Sequence, residues 1–539
     1  MNDELSFGTA GLRAPIGPAA HQINVGQITR ITSAVASWLR EHAAEHVRQD
    51  EQRRGYDSLQ SFVIGQAFHE DDHAPKVAVG YDSRYGSHVF ATTTAEVFAG
   101  AGFEVFLMPM PTPTPMIPWL VRAWGLDGGV QITASHNPSG DNGYKVYGPN
   151  GRQVTPDIEH VLEQKLATIP PAVDIPRVTV RPHTDLVRRY VEDIAELVIP
   201  HNADLLRINN ERASITIAVT ALHGVGGRAV LQALQTAGFA QIYPVQSQQY
   251  PDPTFPTVSF PSPEEPASLQ ALLELGAEVS ADVLIALDPD ADRCAVGVRT
   301  NTGEFQMLTG DETGCLLATR LVPDAREGQP RPLVASSLVS SELITHIARE
   351  HGWDLRRTLP GFKHVNAAAG ELSLCYGYEE AMGFSPAPWL VDDKDGIATA
   401  LIMCSWSAEL KAKGLTLADE LDSLYRKYGV FSGKQFALRT SAPEEVLQLG
   451  ILNPPTQLLD IPLSAQPIMS LDATGTATAI GLSLTGSCEI GDIRILARAS
   501  GTESKVKMYL EIMQARSQQE SAVLIEQLGE AFQEYLTAL

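Results

Sequence analysis

The 539-residue sequence is short of positive charge, of paired cysteines and of any long apolar run free of proline. Each shortage removes a class of protein. Lys and Arg number 40 against 64 Asp and Glu, a formal net charge of −24. Binders of nucleic acid need Lys/Arg-rich faces to neutralise phosphate backbones, so that class is set aside. A small anionic ligand stays admissible, because it needs only a locally positive pocket. The five cysteines (Cys294, Cys315, Cys375, Cys404, Cys488) are scattered, odd in number and without C-x-x-C spacing. That argues against a disulfide framework or a zinc site and fits a reduced cytosolic chain. The longest uncharged stretch, Val105 to Val121, carries Pro109, Pro111, Pro113, Pro115 and Pro118. Those prolines would wreck a membrane helix, so the stretch reads as a rigid extended connection. The acidic opening Met1-Asn2-Asp3-Glu4 has no apolar stretch behind it, so no secretory signal is expected. A soluble cytoplasmic protein with no membrane partner is the expectation.

What is present is material for several cores. A composition 44% hydrophobic and 19% charged excludes global disorder. At roughly 150 residues per domain the length suggests three or four domains. Lys76 to Gly80 reads as a strand, His88 to Gly100 as a helix and Glu104 to Met108 as a second strand, a βαβ unit. Ile215 to Val219 opens a similar unit, with a helix from about Arg228 to Ala237 and a strand at Gln241 to Val245. Leu333 to Ser336 opens another, followed by a helix near Ser341 to His351. The three openings hint at a repeated α/β unit. The last hundred or so residues read differently, as an α+β domain with strands at Ile480 to Leu484 and Ile493 to Ala497 and a helix from Gln518. Glu41 to Ala74 reads as an irregular insertion; 167–187, 247–266 and 429–436 read as linkers.

Two literal motif matches fail on context. His69-Glu70-Asp71-Asp72-His73 fits the H-E-x-x-H zinc signature but lacks an amphipathic helix around it, so it reads as a solvated loop. Gly224-Val225-Gly226-Gly227-Arg228-Ala229 fits a dinucleotide-binding turn. The acid that should hold a ribose some 20 residues on is replaced by Gln246-Ser247-Gln248, so a plain strand-to-helix turn is the better reading.

Three segments carry chemistry. Thr133-Ala134-Ser135-His136-Asn137-Pro138 ends an apolar run and can present a serine hydroxyl at a cleft; no G-x-S-x-G elbow supports a hydrolase triad. The strand Leu284 to Leu287 delivers Asp288, Asp290 and Asp292 at alternate positions, which extended backbone would bring to one side. Three bunched carboxylates repel unless a cation joins them, and hard oxygen ligands at this spacing suit Mg²⁺. Arg293 and Arg299 stand where an EF-hand needs Gly and Glu, which excludes that site; a nucleophilic-aspartate phosphatase is the nearer rival. Arg498-Ala499-Ser500-Gly501-Thr502-Glu503-Ser504-Lys505 offers a guanidinium fork, hydroxyls and a close backbone approach, all suited to phosphate oxygens.

Together with Phe7-Gly8-Thr9-Ala10-Gly11-Leu12-Arg13 and Gly377-Tyr378-Glu379-Glu380-Ala381-Met382-Gly383-Phe384, these motifs occur in the order seen in a known family. The chain resembles the α-D-phosphohexomutase superfamily along essentially its whole length, near its phosphopentomutase-like branch. The resemblance implies an α/β fold of four domains around a central cleft. These would be a phosphoserine-loop domain (1–205), a metal-binding domain (206–306), a sugar-recognition domain (307–433) and a C-terminal α+β phosphate-binding domain (434–539). It further implies a phosphoryl group carried on Ser135, with His136, Arg13 and Lys145 nearby and Lys145 the candidate general base. Mg²⁺ would sit on Asp288, Asp290, Asp292 and a phosphoserine oxygen. Glu379, Glu380, Lys363 and Arg293 would contact the sugar phosphate, and Arg498, Ser500, Gly501, Thr502 and Lys505 its distal phosphate.

The implied activity interconverts hexose 1- and 6-phosphates of glucose or mannose through a sugar 1,6-bisphosphate, which also serves as activator, in a monomer or homodimer. Ala381, where many hexomutases have a serine, removes one hydroxyl partner and loosens the sugar assignment. Phosphopentomutase or glucose 1,6-bisphosphate synthase activity is therefore the alternative, and a silent sugar-phosphate binder the non-enzymatic one.

Overall fold

The computed structural model describes residues 11–54, 74–199, 204–300, 302–370, 372–471, 477–500 and 504–539. The His69 to His73 match lies outside them, as do most of the Phe7 to Arg13 motif, Gly501 and Thr502.

The first sheet holds β1 (Leu12–Pro15), β2 (Lys76–Tyr81), β3 (Glu104–Leu107), β4 (Gly128–Ile132) and β5 (Asp141–Tyr147), with helices α1 (Val25–Arg54), α2 (Ser87–Gly100), α3 (Met116–Trp124), α4 (Pro156–Leu166) and α5 (Val187–Glu196). β3, β2 and β4 run parallel; β5 returns antiparallel beside β4, and β1 pairs with β5. The second holds β6 (Thr216–Thr220), β7 (Gln241–Pro244), β8 (Val283–Leu287), β9 (Cys294–Arg299) and β10 (Phe305–Met307), with α6 (Leu205–Ala213), α7 (Gly226–Thr236) and α8 (Gln270–Glu278). It repeats the plan: β7, β6 and β8 parallel, then β9 and β10 antiparallel. The third holds β11 (Leu333–Ser337), β12 (Asp354–Thr358), β13 (Tyr376–Glu379) and β14 (Gly383–Ser385), with α9 (Gly310–Leu321), α10 (Leu343–His351), α11 (Phe362–Ala367), α12 (Gly396–Ala412) and α13 (Leu417–Tyr428). Again three parallel strands precede an antiparallel return.

The repeat anticipated from three β-rich openings is therefore real, and it has a consequence for function. In each copy one loop joins the third parallel strand to its return: 133–140, 288–293 and 380–382. These are the serine loop, the aspartate loop and the Glu380 loop. Each contains a non-glycine residue in left-handed backbone, Ser135 (φ 53°), Ala291 (φ 61°) and Met382 (φ 61°). Such backbone costs about 1–2 kcal/mol and persists where surrounding contacts enforce it.

The fourth sheet is antiparallel, in the order β15-β20-β19-β18-β17-β16: β15 (Val430–Arg439), β16 (Gln457–Leu458), β17 (Ile461–Leu471), β18 (Ala477–Ser487), β19 (Asp492–Ala499) and β20 (Lys505–Ala515). Helices α14 (Pro443–Leu452) and α15 (Gln518–Ala538) pack on it around Leu484, Ile495, Met508, Leu528 and Phe532. The α/β fold with a C-terminal α+β unit is thus the one expected.

Four local readings are corrected. Residues 41–54 continue α1, since a polar run rich in Glu, Gln and Arg still favours helix. The second half of the Val105 to Val121 stretch is α3; Pro118 falls in its first turn, where a missing N–H costs nothing. Residues 430–436 form β15, paired with β20, instead of a linker. The three aspartates do not converge along an extended strand. They sit on a turn in which the Ala291 amide donates to the Asp288 carbonyl.

Among the described residues no helix is long and apolar enough to cross a membrane. α12 is apolar on all sides because it is buried on all sides, with Ile397, Ala400, Leu401, Met403 and Cys404 in the largest core.

Candidate active site

The aspartate loop is held from behind by the Gly224 turn, the segment that mimicked a dinucleotide motif. Gly224 lies so close to Pro289 that a Cβ would come within 2.3 Å of its Cα, and the Val225 amide donates to the Pro289 carbonyl at 2.8 Å. The glycines there serve loop packing. Ligand oxygens of Asp288, Asp290 and Asp292 fall within 4.8 Å of one another, all buried.

The Ser135 hydroxyl donates to Asp288 Oδ2 at 3.1 Å, and His136 Nδ1 is 3.2 Å from the same Oγ. Lys145, on β5, places Nζ 2.7 Å from Asp290 Oδ2 and 2.8 Å from Asp292 Oδ2. Arg13 donates to Asn137 Oδ1 at 3.0 Å. Arg293 donates to Glu264 and to the Ala381 carbonyl, tying the aspartate loop to the Glu380 loop. The expected serine, lysine and triad, with His136, Arg13 and Arg293, are therefore brought together.

Burial and the neighbouring carboxylates push Asp288 well above the usual carboxylate range. Burial works against ionisation of Asp290 too, but Lys145 and the hydroxyl of Thr114 draw it well below that range. Burial between Arg293 and Arg13 holds the His136 ring neutral. Lys145 loses solvation on burial, yet the two carboxylates raise its pKa, so it is an ammonium in this arrangement.

The residues fit a divalent cation. Asp290 Oδ1 and Asp292 Oδ1 are buried with no hydrogen-bond partner among the described residues, which is costly unless something else engages them. The hard oxygen donor set is of the kind Mg²⁺ takes. Arg13 Nε and Arg498 Nε, like Arg84 Nε and Arg293 Nε, are also buried without a hydrogen-bond partner among the described residues.

Lys363, Glu380, Arg498 and Ser500 make bonds outside this cluster, and Glu379 borders it. Lys363 pairs with Glu159 of α4 at 2.7 Å. Glu380 accepts from the Ser337 hydroxyl at 2.7 Å, while Glu379 is buried near Lys394 and Arg293, with burial raising its pKa. Arg498 lies over the Tyr509 ring and donates to its hydroxyl at 3.4 Å. Ser500 is buried at the end of β19, its amide on the Lys505 carbonyl at 2.9 Å.

Three contributors were given no role from sequence, although Arg84 and Lys394 lie in segments, Asp82 to Arg84 and Asp393 to Gly396, that share in the family resemblance. Thr114, in the proline run, donates its hydroxyl to Asp290 Oδ2 at 2.8 Å and its amide to the Asp290 carbonyl at 2.9 Å. Buried Lys394 approaches Asp292 Oδ2 at 3.3 Å. Arg84, paired with Asp82, donates to the carbonyls of Ser135, Asn137, Pro138 and Asp141, and so clamps the serine loop. The signal for Arg84 was its position just after a strand beside Asp82.

Fold and site define a class: a repeated α/β enzyme in which a strained serine faces a buried carboxylate triad fit for a metal. Comparison with known proteins makes it specific. Residues 58–172, 188–303 and 309–428 match the phosphoglucomutase/phosphomannomutase alpha/beta/alpha domains I, II and III, respectively. A Haemophilus influenzae protein named "Probable phosphomannomutase" is 35% identical over 82% of this chain and 88% of its own length. The mouse phosphopentomutase is 32% identical over 79% of this chain and 68% of its own length. A solved structure from Thermus thermophilus bearing a phosphomannomutase name shares the fold, with TM-score 0.73 at 22% identity and full coverage of both chains. The chain belongs to the phosphoglucomutase/phosphomannomutase family of the α-D-phosphohexomutase superfamily, and it is an intramolecular phosphotransferase.

Proposed function

We propose that the protein is a cytoplasmic phosphosugar mutase interconverting the 1- and 6-phosphates of glucose or mannose through a phosphoserine at Ser135 and a sugar 1,6-bisphosphate. The observation that carries this reading is Ser135 Oγ, held in strained backbone 3.1 Å from Asp288 on a triad with two unengaged buried oxygens. Asp288, Asp290 and Asp292, with a phosphoserine oxygen, would hold Mg²⁺, which supplies charge neutralisation at the phosphoryl oxygens.

The chain's own residues do the positioning. Neutral His136 lies 3.2 Å from the Ser135 oxygen, and Arg13 holds Asn137 of the same loop. When a sugar hydroxyl attacks, its new O–P bond forms as the Ser135 O–P bond breaks, and the hydroxyl proton leaves. Lys145 is the candidate acceptor. It must first shed its own proton, which loss of its hold on Asp290 and Asp292 would favour. Glu379 and Glu380 bind sugar hydroxyls beside Arg293, which holds the Ala381 carbonyl, and Lys363 adds a cation for the sugar phosphate. Arg498, Ser500, Gly501, Thr502 and Lys505 grip the distal phosphate, so that the bisphosphate can turn over and return its other phosphate to Ser135. Domain boundaries near 205, 306 and 433 accompany this division of labour.

A second reading keeps the mechanism and changes the sugar to ribose or deoxyribose phosphate, or ends at the bisphosphate. It is favoured by Ala381, which offers no hydroxyl, and by the relative named phosphopentomutase. Assays of glucose, mannose and ribose 1-phosphates with Mg²⁺ and trace bisphosphate separate the readings, and accumulation of free phosphate would instead indicate a phosphatase.

A further inference from the structure

A buried guanidinium is one of the contacts that join the fourth sheet to the third repeat. Arg494, near the start of β19, donates through Nη1 to the Leu338 carbonyl at 3.0 Å and to Glu342 Oε1 at 2.9 Å. Its Nη2 reaches the Ser340 carbonyl at 2.6 Å, and Nε and Nη2 hold Glu511 Oε2 of β20 at 3.1 and 2.8 Å. Arg357 of β12 grips the same two carbonyls from within the third repeat. Glu511 also accepts from the Glu342 amide. Every donor of this fork that crosses the boundary lands on residues 338–342.

That segment and the adjoining Ser337 also bear on the Glu380 loop. The Ser337 hydroxyl donates to Glu380 Oε2 at 2.7 Å, and the Glu380 amide donates to Ser340 Oγ at 3.2 Å. On the other side, alternation along β19 puts Arg494, Leu496 and Arg498 on one face. Leu496 packs with Val339 and Tyr509, and Arg498 lies over Tyr509. At about 3.3 Å per residue, Arg498 stands about 13 Å along the strand from Arg494.

We propose that Arg494 is a positioning residue for the substrate cleft. It ties the strand bearing Arg498 to the segment bearing Glu380, so the spacing between distal-phosphate grip and sugar loop is set before substrate arrives. The proposal rests on the roles given above to Arg498 and Glu380. Without the tether only a fraction of molecules hold the two groups in register, and apparent affinity falls by that fraction. Bound sugar phosphate bridges both loops and restores the register, so kcat moves less than KM.

Steady-state kinetics test this. Arg494→Met raises KM for the preferred sugar 1-phosphate by about tenfold or more with kcat within about threefold, and Arg494→Lys, a point donor without the fork, falls between. An unchanged KM, or a loss confined to kcat, overturns the proposal. Glu380→Gln in the same series separates the two layers: an unchanged KM there means the sugar-loop assignment is wrong, whatever Arg494 does. If Arg494→Met melts below the assay temperature, Glu511→Gln carries the test. It keeps the side-chain size, loosens Arg494 and raises KM by about threefold, and no change overturns the tether.

Discussion

Arg84 never touches the serine hydroxyl, yet the geometry makes the serine loop depend on it. Its guanidinium donates to Pro138 O at 2.6 Å, Asp141 O at 3.2 Å, Ser135 O at 2.7 Å and Asn137 O at 2.5 Å. It pairs at 3.3 Å with Asp82, and both side chains are within a few per cent of full burial. Arg84→Met strands four carbonyls and a buried carboxylate. A lost partner of a buried ion pair costs about 3–5 kcal/mol, and each stranded group about 1–3 kcal/mol before water enters. Ser135, at φ 53°, then has a reason to relax toward ordinary backbone. The net expectation is about 3–5 kcal/mol of lost local stability, or roughly 10²- to 10⁴-fold faster amide exchange across residues 133–143. Hydrogen–deuterium exchange with mass spectrometry reads this directly, because unfolding of a multidomain chain is not a single transition. Arg84→Lys restores charge opposite Asp82 but lacks the fork, and exchanges at an intermediate rate. Unchanged exchange at 133–143 in Arg84→Met, alongside a lower melting temperature, would refute the clamp.

Two further outcomes follow from the same geometry. Lys145→Met leaves Asp290 without its ammonium and Asp292 with that of Lys394 alone, so the metal-free protein melts lower and Mg²⁺ raises its melting temperature by more than in the wild type; a smaller rise would contradict this. Burial pushes the half-buried carboxyl of Asp311 up to about 7, between Glu511, Glu380 and Arg357. Because the folded value is raised, its stabilising share is complete below about pH 4 and lost as pH rises through about 7. Asp311→Asn keeps an acceptor for the Ser341 amide and Tyr378 hydroxyl. Its stability relative to wild type therefore improves from pH 5 to pH 8, by about 1 kcal/mol after allowing for solvent screening, read as a narrowing gap in melting temperature; a constant difference would contradict the assignment.

Much of the site was readable in the sequence because strand ends display chemistry openly. Ser135 follows an apolar strand into a proline- and glycine-set turn, and three aspartates after Leu287 have no structural excuse without a cation. The repeat was visible only as recurring strand–helix–strand openings, since the copies share topology more than residues. What stayed hidden depends on distant partners. Thr114 bonds to Asp290 across 176 positions, and Arg84 reaches its carbonyls across 51 to 57. A proline run announces stiffness, not the direction in which its threonines point. Periodicity also gave no warning that the aspartates meet through left-handed Ala291, or that Arg494 would join two units 152 to 156 positions apart.

The central claim is that Ser135 carries the phosphoryl group. Incubating the enzyme with Mg²⁺ and glucose 1,6-bisphosphate, then mapping phosphate by peptide mass spectrometry, tests it most directly. The expected result is one phosphate on the peptide containing Ser135, lost on adding sugar monophosphate, and a Ser135→Ala variant with neither label nor mutase turnover. A variant that turns over at the wild-type rate, or a phosphate that maps elsewhere, would contradict it.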